Sequence, residues 1–135
     1  MARASDDRIL RPPHWPRPKG YANGIKARGA VIVTAGQVGW NEKAEFADGL
    51  VGQVAQTLLN VMSVLAAGGA GPEHLVRLTW YVTDIADYRA RQAEIGKVYR
   101  EIIGRHFPAM AVVEVSALAE PKALVEIEAM AVVPD

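Results

Sequence analysis

Apolar positions along the chain recur at helical steps in some stretches and alternate in others, and the switches mark the elements. In DGLVGQVAQTLLNVMSVLAAGG, Val51, Val54, Leu58, Val61, Met62 and Leu65 recur every three or four residues, which predicts a helix. Asp48 stands where an N-cap is expected, and Gly68-Gly69 supplies a left-handed residue to end it. LVRLTWYVTD alternates instead, with Val76, Leu78, Trp80 and Val82 on one face, and predicts a strand. Helical steps return from about Asp87 through Tyr88, Ile95, Val98, Tyr99 and Ile102, bounded by Gly104 and Pro108.

Shorter runs flank these elements. YANGIKARGAVIVTAGQVGW divides at Arg28-Gly29 into two β-like runs, which predicts a hairpin, with Gly36 and Gly39 punctuating its end. FPAMAVVEVSAL and ALVEIEAMAVV read as two closing strands. The predicted order is ββ-α-β-α-ββ. Two helices cover one face of a mixed sheet of this size, so the fold class is α+β in a single domain.

The other sheet face would then be bare. In the closing strands, Met110, Val112, Leu118, Leu124, Met130 and Val132 share positions with Glu114, Glu126 and Glu128, more contiguous apolar surface than a monomer usually leaves in water. Self-association through that face is the expectation from alternation.

Residues 1–20 stand apart from the domain expected over 21–135. RPPHWPRPKG holds four prolines in ten residues, and proline fixes φ and biases its predecessor toward extended shapes. An extended arm is expected, either lying on the domain as a surface tail or sending His14, Arg17 or Lys19 into a site.

Composition narrows the function classes. Fifteen basic and fifteen acidic side chains balance, leaving no electrostatic case for nucleic acid or an anionic membrane. With no cysteine there is no disulfide scaffold, no thiolate chemistry and no Cys-ligated metal. The three histidines lack metal-ligand spacing, so no metal is expected. GGAG at 68–71 lacks the preceding strand and Lys-Ser/Thr of a phosphate loop. No apolar stretch approaching the roughly 20 residues of a membrane span is expected, and MARASDDRIL has no apolar core of a secretory signal, so a cytoplasmic protein is expected.

PAMAVVEVSAL followed by ALVEIEAMAV resembles the closing signature of the RidA (YjgF) family of enamine and imine deaminases. VTAGQVGW resembles the family's strand ending in Ser-Gly-Gln, the stretch from Val51 to Asp84 resembles its first helix and following strand, and YANG supplies a Tyr near the start. The resemblance runs from about Tyr21 to Val133. It implies a chorismate-mutase-like fold, a homotrimer, small-molecule ligands held in clefts between subunits, and no cofactor.

The same resemblance assigns candidate site residues. Glu126 matches the family's Glu, as a base or water anchor or as a structural carboxylate, and Tyr21 matches its site Tyr, contacting substrate or capping a packed ring. Met110 stands where active members carry the Arg that holds a substrate carboxylate, and Val112 where they carry Cys. A thioether has neither charge nor donors, so simple 2-imino acids are expected to be poor substrates. The family's helical Asn falls on Gln92 or on Gly96. Main-chain amides of Ala109, Met110 and Ala111 remain available, and Trp40 would wall the cleft or serve packing. Glu126 and Glu128, two apart on one strand face, read as interface polar groups rather than a catalytic pair. Two functions stay open: deaminase-type hydrolysis of an imine or enamine, and ligand binding or regulation without catalysis. The ribonuclease or translation-inhibitor activity attributed to some relatives finds no basic aromatic stripe here.

Overall fold

The computed structural model describes residues 8–135. Two short strands, β1 (Ile9–Leu10) and β2 (Gly24–Ile25), pair antiparallel and fasten the proline-rich arm back onto the chain. The main sheet comprises β3 (Ala30–Val33), β4 (Gln37–Val38), β5 (Leu75–Val82), β6 (Ala109–Glu114) and β7 (Val125–Val133), in the order β3-β7-β5-β6 with β4 also on β7. Only β5 and β6 run parallel. A parallel pair needs a long crossover, and α2 (Ile85–Ala90) and α3 (Gln92–Ile102) provide it. The longest helix, α1 (Gly49–Ala67), lies on the same side of the sheet.

The expected hairpin at Arg28-Gly29 does not form. The second run pairs with β7, Ala30 opposite Val133 and Val33 opposite Met130, while the first pairs with the arm. Gly29 explains the divergence. It adopts φ +145°, and a Cβ there would lie 2.0 Å from the Val133 carbonyl oxygen, so the chain crosses against β7 where only glycine fits. The single helix expected from Asp87 is two. Arg91 leaves helical geometry at φ −113°, ψ 19°, and the Asp84 carboxylate accepts from the Asp87 N–H to cap α2.

The core forms where α1 and α3 meet β5 and β7. Leu50, Val54, Leu58, Val61 and Leu65 of α1 pack with Leu78, Trp80 and Val82 of β5, Ile95 and Tyr99 of α3, and Val125, Ile127, Ala129 and Ala131 of β7. Each large aliphatic side chain so removed from water contributes about 1.5–3 kcal/mol. α1 is long and apolar enough by length and composition to cross a membrane, contrary to the expectation that no stretch would be, but its apolar stripe is the core of this domain. Asp48 precedes α1 in extended geometry without a side-chain cap bond, and Gly69, at φ +82°, ends it as expected.

Register decides which face of each strand meets the helices. Leu78, Trp80 and Val82 face the core and stand opposite Met110, Val112 and Glu114 on β6 and Ala129, Ile127 and Val125 on β7. Met110 and Val112 therefore pack against the core side, the reverse of the expected bare face. Leu124 also packs on the core, Leu118 lies beyond the end of β6, and Val132 is buried. Of the six expected exposed residues only Met130 is exposed. The open face instead shows Val31, Val33, Val113 and Met130, at 62%, 63%, 43% and 37% exposure, around Arg77, Thr79, Tyr81, Glu126 and Glu128.

Candidate functional site

A cavity of about 280 Å³ opens beside the β6 edge. Its floor is Trp80 of β5 and Met110 of β6, two residues apart in register on the same face of the sheet, and one wall is Tyr88, Gln92, Ile95, Gly96, Tyr99 and Arg100. These wall residues fall at successive three- and four-residue steps, so one face runs unbroken from α2 into α3 despite the break at Arg91. The arm closes the cavity with Lys19 and Gly20, and Phe107 stacks on Tyr99 at 5.4 Å.

Both positions left open for the helical site residue, Gln92 and Gly96, line this cavity together with Met110. They lie one turn apart on α3, which is why counting along the sequence could not separate them. Ala109 and Ala111 flank Met110 on the strand with side chains toward the opposite face, and Val112 follows it on the core side. At its start β6 is joined by the arm, where Ala22 N–H donates to the Pro108 carbonyl at 3.0 Å.

Other candidates lie elsewhere within one chain. Glu126 occupies the open face, beside Tyr81 and on the far side of the sheet from Met110. Its carboxylate sits over Gly36, where a Cβ would come within 2.4 Å of Oε2, so glycine there makes room for it. Tyr21 lines a separate cleft of about 440 Å³ with Arg11, Arg17, Arg105, Ile9 and Phe107. Trp40 packs on Phe46 at 5.4 Å, and its carbonyl accepts from Asn60 Nδ2 at 2.8 Å, a packing role. Lys19 of the arm lines the cavity beside Met110. Arg17 reaches the neighbouring one, and His14 is exposed at φ 72°.

Several cavity features had no signal in the sequence. Trp80 is only 3% exposed, and its Nε1–H finds no acceptor among the described residues. Tyr88 meets the Trp80 ring edge-on at 6.3 Å, and burial raises its phenol pKa despite a hydrogen bond with Gln92. Burial pushes the Tyr99 phenol well above its usual range, and its hydroxyl donates to the His106 carbonyl. On the open face the Tyr81 hydroxyl donates to Glu128 Oε1 at 2.7 Å, and this bond, with burial and the nearby carboxylates, raises its pKa.

The fold and its cavity define a small α+β domain with an aromatic-walled pocket of mixed polarity at a sheet edge, an arrangement suited to a small organic ligand. The sequence profile of the family described as endoribonuclease L-PSP matches residues 16–133. A RutC family protein of Pyrococcus horikoshii is 36% identical over 86% of this chain and 90% of its own length. The 2-iminobutanoate/2-iminopropanoate deaminase of Escherichia coli is 34% identical over 83% and 86%. Among solved structures, a Rid-family protein of unknown function from Yersinia pestis superposes with a TM-score of 0.82 at 32% identity, covering 93% of this chain and 98% of that one. This chain belongs to the endoribonuclease L-PSP family, the RidA/YjgF group of proteins.

Proposed function

We propose that this protein hydrolyses the carbon–nitrogen double bond of an imine or enamine, in clefts completed by neighbouring copies in a cytoplasmic homotrimer. The observation that carries the reading is the convergence of Met110, Gln92 and Gly96 on one cavity at the sheet edge. The 34% identity to an iminobutanoate deaminase supports the reaction class. Hydrolysis needs a water, a base near it and a grip on the substrate. Glu126 would supply the base and Tyr21 a hydroxyl, and each would meet the cavity of an adjacent copy rather than its own. The exposed Val31, Val33, Val113 and Met130 favour the self-association this requires. Met110 brings no charge to the floor, so 2-iminopropanoate would be a poor substrate.

The test generates imines in situ from alanine, leucine and phenylalanine with an amino-acid oxidase and follows semicarbazone formation with and without the protein. Faster hydrolysis of at least one imine, abolished by Glu126→Gln, is the expected result. No acceleration of any would refute catalysis and favour the second reading, a ligand-binding member without turnover. One observation already speaks for that reading: within a chain, Glu126 and Met110 lie on opposite faces of the sheet.

A further inference from the structure

We propose that Arg100, laid over Gly96 at the mouth of the cavity, is the anion-binding and specificity-determining residue of this pocket, and that its ligand is an organic anion with a flat apolar body. The inference deepens the proposed reaction by naming the ligand class.

Three observations converge on it. The first is clearance. A Cβ at position 96 would lie 3.2 Å from Arg100 Nη1, so the guanidinium rests against the one residue of α3 that has no side chain. Four residues apart on α3, the two share a face, and both line the cavity. The second is charge. Arg100 and Lys19 are the basic groups lining the cavity, and neither has an ion-pair or hydrogen-bond partner among the described residues. Among the described residues no carboxylate lines it. A planar guanidinium offers paired donors matched to a carboxylate or phosphate, and an ammonium beside it adds charge.

The third observation is inside. The buried Trp80 Nε1–H has no acceptor among the described residues, although buried donors nearly always find one, and Trp80 lines the cavity. A ligand oxygen or nitrogen would satisfy it once the side chains that cover Nε1 shift slightly aside. Between this donor and the cationic mouth the lining is Tyr88, Ile95, Tyr99, Phe107 and Met110. Such walls gain from covering apolar area, and flat rings suit the aromatic side chains. A three-carbon acid would leave most of this surface uncovered.

Calorimetry on the full chain tests the proposal with three probes: phenylpyruvate, its neutral counterpart phenylacetone, and pyruvate. Phenylpyruvate should bind at least about tenfold more tightly than either, because one lacks the charge and the other the body. Arg100→Gln, at an exposed position, should cost phenylpyruvate about tenfold or more and leave phenylacetone unchanged. Trp80→Phe should weaken phenylpyruvate roughly fivefold while still unfolding in one cooperative transition, at a lower Tm because a buried ring is cut back. Absent phenylpyruvate binding, or equal binding by wild type and Arg100→Gln, overturns the proposal. The outcomes separate it from the reaction class. Arg100-dependent binding without hydrolysis of any imine refutes the chemistry alone, whereas hydrolysis indifferent to Arg100→Gln refutes the anion site alone.

Discussion

Gly96→Ala should make the protein more stable while weakening its hold on an anionic ligand. Gly96 lies inside α3 with no positive φ, so alanine fits its backbone, and replacing an interior helical glycine by alanine stabilises by about 0.8–1 kcal/mol. The opposing term is small. The added Cβ would stand 3.2 Å from Arg100 Nη1, the far end of a flexible side chain that yields by a few tenths of an ångström. The net gain is about 0.5–1 kcal/mol, which for a domain of this size raises Tm by roughly 2–4 °C. Displacing the guanidinium spoils the geometry of its charge-assisted bonds, so phenylpyruvate affinity should fall roughly threefold. Thermal melting by circular dichroism and calorimetric titration of the same preparation read the two effects. A lowered Tm would show that position 96 tolerates no side chain for reasons of packing. A raised Tm with undiminished affinity would show that Arg100 does not depend on the gap.

Other consequences are as direct. Gln53, 3% exposed, donates to the Lys122 carbonyl at 3.0 Å and accepts from the Leu124 N–H at 2.8 Å, so Gln53→Leu strands two backbone groups and should cost about 2–4 kcal/mol in urea unfolding. Burial raises the Tyr99 phenol above its unfolded value near 10. Its contribution to stability is therefore complete below pH 10 and declines as pH rises further, by about 1.4 kcal/mol per unit, because the unfolded chain ionises while the folded one does not. Tyr99→Phe should remove that part of the alkaline slope in denaturant titrations from pH 9 to 11. Val31→Lys with Val33→Lys should lower the sedimentation mass to that of one chain at micromolar concentration, since both side chains stand on the bare sheet face. An unchanged mass would exclude that face from the interface.

The parts of the fold legible in the sequence are those where one periodicity stands unopposed. α1 repeats its apolar stripe over nineteen residues, and β7 sets Val125, Ile127, Ala129 and Ala131 against Glu126 and Glu128, so burial admits one orientation. The first closing strand carries no such contrast. Both faces of AMAVVE are largely apolar, and its orientation was settled by parallel pairing with β5, Leu78 against Met110. The hairpin expectation failed for a related reason: two-residue runs such as Gly24–Ile25 have no register of their own and take whichever partner is near, here Ile9–Leu10.

For the candidate site, residue types came from the chain and their grouping from the fold. Resemblance pointed to Met110, Glu126 and Tyr21 and, for the helical residue, to Gln92 or Gly96. That Gln92, Gly96 and Met110 share a cavity, while Glu126 occupies the other face and Tyr21 a different cleft, follows from strand register and the return of the arm. The orphaned Trp80 indole and the seat of Arg100 over Gly96 lie further still from the sequence. Periodicity is a property of neighbours along one element and survives in the one-dimensional record. A buried donor without an acceptor, or a cation resting on a missing side chain, is a relation between elements far apart in the chain, and only their packing creates it.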